Sequence, residues 1–185
     1  MTAMTDTTTD TTTDTTTDTS SGVSIITMAS PIGKLTVAAS DLGVRFVMWE
    51  ADHRPHPGAG GGESPPARSG LLAEAVSQLE EYFRGDRTDF DVPLDPQGTP
   101  FQHTAWLALR RIPYGSTISY GEQARSLGDP NKARAVGAAN SKNPIGIIVP
   151  CHRVVGSNGS LTGFAGGLGA KAWLLDHERQ MVAGR

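Results

Sequence analysis

The only cysteine of this 185-residue chain, Cys151, is followed directly by His152 in the run Ile147-Ile148-Val149-Pro150-Cys151-His152-Arg153-Val154-Val155. A thiolate is the form of cysteine that attacks electrophiles, and an adjacent imidazole offers the means of making it. A lone thiol forms no intramolecular disulfide, so the chain reads as built around one nucleophile. Taken alone, the dipeptide more often marks a small buried side chain at a strand end beside a satisfied histidine, and it is the surrounding pattern that favours the nucleophile. The five histidines, His53, His56, His103, His152 and His177, are scattered without the spacing of a metal cluster. Neither a metal nor a cofactor is expected.

Two units are expected to position this nucleophile. Residues 1–22 are a Thr/Asp-rich tail in which Asp6, Asp10, Asp14 and Asp18 recur every four residues and nothing after Met4 is apolar. Such a segment buries too little surface to offset its ordering entropy and is expected to be disordered. Three short apolar runs, Val23 to Ile26, Leu35 to Ala39 and Val44 to Trp49, are separated by Gly and Pro punctuation and predict an antiparallel meander. The stretch from Asp52 to Gly70, with four prolines and five glycines, predicts a mobile connection. Leu71, Leu72, Ala75, Val76, Leu79, Tyr82 and Phe83 then recur at helical spacing, with Gly85 as the stop. The first unit is therefore α/β over 23–90, an antiparallel sheet plus helix, followed by a linker at 91–98.

The second unit, 99–180, is expected to be mainly α, with 181–185 as a C-terminal tail. Thr99 and Gln102 form a capping box around Pro100, and Pro113 ends the helix they open. Ser119 and Glu122 form a second box, opening a helix from Tyr120 to Leu127 that Gly128 closes, and Asp129-Pro130 starts another helix to about Asn140. Two short helices joined by a glycine turn are a helix-turn-helix candidate. Lys132 and Arg134 on the second helix can meet phosphates, and the small residues Ala135, Ala138 and Ala139 permit close approach to a groove floor. A buried strand, Ile145 to Val149, is expected to deliver Cys151.

Charge divides the chain in the same place. Residues 1–100 hold 6 Lys/Arg against 15 Asp/Glu, whereas 101–185 hold 10 against 4. A basic second half suits a polyanion such as nucleic acid. No apolar stretch is long enough to span a bilayer and the N-terminus lacks signal-peptide regions, so no membrane partner is expected and the expected location is cytoplasmic, on the nucleoid in a prokaryote.

Pro150-Cys151-His152-Arg153-Val154, preceded by Arg134-Ala135-Val136-Gly137 and Asn143-Pro144 and followed by Leu174-Leu175-Asp176-His177-Glu178, resembles the signature of the O6-alkylguanine-DNA alkyltransferases over about residues 23–180. The resemblance implies a protein that flips O6-alkylguanine out of double-stranded DNA through the minor groove and takes the alkyl group irreversibly onto Cys151, once per molecule. It implies that His152 removes the thiol proton through a water, that Glu178 orients the imidazole, and that Asn143 holds the turn carrying the cysteine. Tyr120 corresponds to the tyrosine that assists extrusion, and Arg134 to the arginine that fills the vacated stack. Val154, Val155, Phe164 and Ala165 would border the guanine pocket, with the loop Ser157 to Gly169 as one wall and Gly163, Gly166 and Gly167 keeping it mobile. Phe164 stands where tyrosine is usual and Ala165 where several members carry a hydroxyl, so altered alkyl preference or rate is implied. A monomer is expected, with clustering of several molecules on DNA open.

Two other classes compete. An alkyltransferase-like protein would bind the lesion without transfer, but such proteins replace the acceptor cysteine that Cys151 supplies here. A cysteine hydrolase using Cys151, His152 and Glu178 would need an oxyanion hole and an acyl intermediate. The N-terminal unit offers no nucleophile, base or ligand pattern and is expected to act as a scaffold.

Overall fold

The computed structural model describes residues 23–49 and 70–184. The Thr/Asp-rich segment 1–22 and the Pro/Gly-rich stretch from 52 to 69 lie outside the described residues.

Strands β1 (Ser24–Met28), β2 (Leu35–Ala39) and β3 (Val44–Trp49) form an antiparallel sheet in the order β1-β2-β3. β1 runs further than its apolar start, because Thr27 and Met28 complete the ladder opposite Thr36 and Leu35. Helix α1 (Gly70–Arg84) buries Leu72, Ala75, Leu79 and Tyr82, the three- and four-residue spacing that lays one stripe against a sheet. Leu72 and Leu79 each contribute about 1.5–3 kcal/mol by this burial.

The stretch 91–98, expected as a linker, is docked on the first unit. The Val44 N–H donates to the Pro93 carbonyl at 2.8 Å, the Asp95 N–H donates to the Val44 carbonyl at 2.8 Å, and Phe90 and Val92 are buried. A free connection would leave those apolar side chains in water, which is why the chain lies along β3 instead.

Helix α2 (Pro100–Leu109) begins as expected, with both reciprocal bonds of the Thr99/Gln102 capping box formed, but it ends at Leu109, before Pro113. Strand β4 (Ile118–Ser119) leads into α3 (Tyr120–Ser126), whose Ser119/Glu122 box is also complete. Gly128, at φ +91°, supplies the left-handed turn to a single 3₁₀ turn, Pro130–Lys132, and then α4 (Ala133–Ser141). β5 (Val154–Val155) pairs in parallel with β4. The last helix, α5 (Gly167–Ala183), carries through most of the segment expected as a C-terminal tail.

Residues 145–149 are buried, but they do not form the expected strand. They curl: the Ile148 N–H donates to the Gly146 carbonyl at 2.8 Å, the Val149 N–H to the Ile145 carbonyl at 3.0 Å, and Ile147 sits at φ +71°. That conformation is strained for a β-branched residue, at roughly 1–3 kcal/mol, and persists because buried packing fixes it. The curl meets the sheet at β3, where Ile145 bridges Val47 in parallel, the Val47 N–H donates to the Pro144 carbonyl at 2.9 Å and the Gly146 N–H donates to the Val47 carbonyl at 3.0 Å.

One core joins both units: Leu35, Val37, Leu79 and Tyr82 from the first pack in the same cluster as Trp106, Leu109, Ile145, Val154 and Leu174 from the second. Among the described residues, no helix is long and apolar enough to cross a membrane.

Candidate active site

Cys151 opens a single 3₁₀ turn, Cys151–Arg153, at the end of the strained curl. The turn, rather than extended chain, lets neighbouring side chains serve different tasks. Cys151 is half-buried, whereas His152 and Arg153 are buried. Asn143 stitches the curl together: its Nδ2 donates to the Val149 carbonyl at 2.8 Å and to Cys151 Sγ at 3.3 Å, and its Oδ1 accepts from the Ile145 N–H at 3.1 Å.

α5 grips this turn at two places. Its buried face carries Lys171, Leu174, Leu175 and Glu178, spaced i, i+3, i+4, i+7, so two ionisable residues are driven inward with two leucines between them. Lys171 Nζ donates to the Val154 carbonyl at 2.6 Å and to the Thr162 carbonyl at 2.8 Å. Burial holds its pKa below the ordinary lysine value.

Glu178 is fully buried and surrounded by donors. Oε1 lies 2.8 Å from His152 Nε2 and accepts from Tyr82 Oη at 2.8 Å and an Arg153 Nη at 2.9 Å. Oε2 accepts from Arg153 Nε at 2.9 Å and from the Gly115 N–H at 2.9 Å. Burial alone would raise its pKa, but the bonds and charges of His152 and Arg153 prevail and hold it at about 2. An ionised carboxylate can only accept, so the proton of the neutral imidazole resides on Nε2 and the lone pair on Nδ1. Nδ1 is buried and takes no hydrogen bond from the described residues. Burial outweighs the pull of Glu178 and keeps the His152 pKa below 6.5, so the ring is neutral at pH 7 and able to accept a proton.

The loop before α5 closes over this group. Phe164 meets Trp49 edge-on at 5.0 Å and His152 at 6.4 Å. The Trp49 ring leaves no room for a side chain at either neighbouring glycine: a Cβ on Gly166 would stand 2.5 Å from it, and one on Gly146 2.6 Å. Gly166 therefore serves close packing, and Gly167 is already the first residue of α5, so neither provides the loop freedom expected of it. Tyr120 Oη donates to the Thr162 carbonyl at 3.3 Å, tying the start of α3 to the same loop.

The expected DNA-facing residues divide. Arg134, Lys132, Ala135 and Ala138 are exposed along α4 and the turn before it. Ala139 is not: it is 3% exposed, and its carbonyl accepts from Trp106 Nε1 at 2.9 Å. Helical periodicity explains this, since Val136, Ala139 and Asn140 form the inward stripe of α4. Among the expected pocket residues, Phe164 is half-buried and Ala165 exposed, whereas Val154 is 0% exposed in the core and Val155 is buried beside it, paired to Ser119. The reading of sequence alone missed Tyr82, Arg153, Gly115, Lys171 and Trp49. For Lys171 a signal existed, its place on the same helical face as Leu174, Leu175 and Glu178.

The chain is similar to known proteins along most of its length. Residues 100–180 match the DNA binding domain of 6-O-methylguanine DNA methyltransferase, and residues 24–96 match its ribonuclease-like domain. A methylated-DNA–protein-cysteine methyltransferase of Methanosarcina acetivorans is 47% identical over 152 residues, covering 80% of this chain and 94% of that relative. One from Mycobacterium leprae is 49% identical over 157 residues, covering 84% and 92%. The crystal structure of Mycobacterium tuberculosis O6-methylguanine methyltransferase superposes with a TM-score of 0.78 at 45% identity, covering 86% of this chain and 94% of that one. Mycobacterium tuberculosis OGT in complex with DNA gives 0.76 at 46% identity, covering 84% and 92%.

Proposed function

The chain belongs to the 6-O-methylguanine DNA methyltransferase family, and from that membership we infer that it repairs DNA by taking the alkyl group of O6-alkylguanine onto Cys151. The observation that carries the assignment is the sole thiol, held by Asn143 Nδ2 at 3.3 Å, next to a neutral imidazole anchored on a buried carboxylate.

The thiol proton passes, through a bridging water, to His152 Nδ1, the lone-pair side of the ring. Glu178, accepting from Nε2, stabilises the imidazolium that forms. The thiolate then attacks the alkyl carbon in line with the C–O6 bond: the S–C bond forms as the C–O6 bond breaks, and the electron pair leaves with guanine. The guanine anion takes a proton from solvent at N1 while Tyr120 donates a hydrogen bond toward N3, and the imidazolium proton returns to solvent, so the thiol hydrogen is exchanged for the alkyl group and every side chain but Cys151 is restored. A thioether has no hydrolytic exit, and each molecule acts once.

The target atom lies inside the base stack, so the nucleotide must leave it. We read α3 and α4 as a helix-turn-helix that docks in the minor groove. The exposed Ala135 and Ala138 allow close approach, Lys132 meets phosphate, and Arg134 enters the stack. Phe164 packs against the base or alkyl group. Every group in the reaction comes from one chain, so a monomer suffices, and a thiol that must stay reduced suits the cytoplasm.

A burst assay tests this reading. With a tenfold excess of duplex carrying O6-methylguanine, demethylation should stop at one lesion per protein molecule. Continued turnover would instead mark a hydrolytic enzyme, and tight binding without demethylation a recognition protein.

A further inference from the structure

Tyr82 belongs to α1, in the unit that offered no chemistry to the sequence reading, yet its hydroxyl ends in the catalytic centre. It donates at 2.8 Å to Glu178 Oε1, the same oxygen that faces His152 Nε2 at 2.8 Å. The contact spans 96 residues of sequence, and Tyr82 is 0% exposed. The phenol ring is fixed by Phe83, Phe90, Tyr114 and His177, with centroids 5.5, 5.6, 6.0 and 5.5 Å away. His177 adds a backbone tie, its Nε2 standing 2.8 Å from the Tyr82 carbonyl. Such a cage leaves the hydroxyl one direction, toward the carboxylate.

We propose that Tyr82 is a positioning residue for alkyl transfer, its hydroxyl sharing Glu178 Oε1 with His152 and thereby setting both the orientation and the basicity of the imidazole. A donor on Oε1 draws negative charge from the oxygen that would otherwise bind the imidazolium more tightly. The ring thus stays neutral at working pH, ready to accept the thiol proton. Burial, followed by the charge of Glu178, pushes the Tyr82 pKa well above 10.0, so the hydroxyl remains a donor throughout the range in which His152 titrates. The other ionisable groups facing His152 are Glu178 and Lys171 on α5, Arg153 on its own turn, and Cys151 beside it, with Tyr114 stacked under Arg153; of these, Glu178 is the one the Tyr82 hydroxyl bonds, so a change at Tyr82 reaches the imidazole through that carboxylate. The N-terminal unit therefore supplies a working side chain as well as a scaffold.

The inference rests on Cys151 being the alkyl acceptor. Its test is the pH profile of single-turnover methyl transfer by the full chain and by Tyr82→Phe, between pH 5.5 and 8.5. Phenylalanine fills the same cage and leaves Oε1 with its other donors, so folding should be retained, which a thermal melt checks. Loss of the hydroxyl should raise the His152 pKa by about half to one unit, moving the acid limb of the profile to higher pH. On the acid limb the rate should fall by at most about three- to tenfold, the full factor being approached only well below the His152 pKa, while the rate at pH 8 should stay within about twofold and affinity for undamaged duplex should not change. A Tyr82→Phe profile superimposable on wild type, or lowered equally at every pH, would overturn the inference. Absence of transfer by wild type would overturn the underlying reading instead.

Discussion

Replacing Asn143 with alanine separates the chemistry of the cysteine turn from its stability. Asn143 is 4% exposed and makes three bonds: to the Val149 carbonyl at 2.8 Å, to Cys151 Sγ at 3.3 Å and from the Ile145 N–H at 3.1 Å. The Val149 carbonyl keeps a second donor, the Cys151 N–H at 2.8 Å, so it loses one bond of about 0.5–1.5 kcal/mol. The buried Ile145 N–H loses its side-chain partner, at about 1–3 kcal/mol. Together these reduce stability by about 1.5–4.5 kcal/mol, less than the 5–15 kcal/mol typical of folded domains, so the variant should fold with a Tm lower by about 3–18 °C. The N–H···S bond matters more to rate, since a hydrogen bond to an ionised acceptor contributes about 1.5–3 kcal/mol, roughly ten- to a hundredfold in thiolate available for attack. Because Cys151 is the only thiol, carbamidomethylation by iodoacetamide reads its reactivity directly and can be compared with single-turnover methyl transfer, both measured well below the variant's Tm. Both rates should fall together by about tenfold or more. A Tm drop with both rates within twofold of wild type would refute the argument that Asn143 activates the sulfur.

Further expectations follow from the exposed cation and the buried pair. Arg134→Ala should lower transfer from duplex DNA by roughly tenfold while leaving reaction with a free O6-alkylguanine analogue within about twofold, because only the duplex must be held open; equal loss on both substrates would remove its stack-filling role. Stability should fall on acidification in two windows. The His152 pKa is depressed below 6.5 in the folded chain, so its contribution is present above 6.5 and lost as pH falls below that value. Glu178 is held at about 2 against an ordinary 4.5, so its contribution is present above 4.5 and lost as pH drops toward 2. Thermal melts from pH 8 to pH 3 should show both declines, with Glu178→Gln lacking the second; an unchanged Tm over this range would contradict the buried-pair electrostatics.

Local signals in the sequence located most elements because they act over a few residues. The Thr99/Gln102 and Ser119/Glu122 boxes fixed two helix starts, and the spacing of Leu72, Ala75, Leu79 and Tyr82 fixed the buried face of α1. The apolar run Ile145 to Val149 misled for a physical reason: a buried curl and a buried strand need the same side chains, and only the positive φ of Ile147 separates them. Ala139 failed similarly, since alanines on both faces of α4 carry no signal of which face turns inward. The resemblance to a family named Cys151, His152, Glu178 and Asn143, which the structure brings into one cluster. It could not foresee Tyr82 beside Glu178, a contact made by packing between distant segments, nor Gly115 donating through its backbone, where the side chain has no say.

Intact-protein mass spectrometry tests the central claim most directly: wild type and Cys151→Ser are each mixed with duplex DNA containing one O6-methylguanine. Wild type should gain one methyl group, never more, located by peptide mapping on Cys151, and Cys151→Ser should gain none. An unmodified wild-type chain after prolonged incubation with excess lesion, or a methyl group on both proteins, would contradict it.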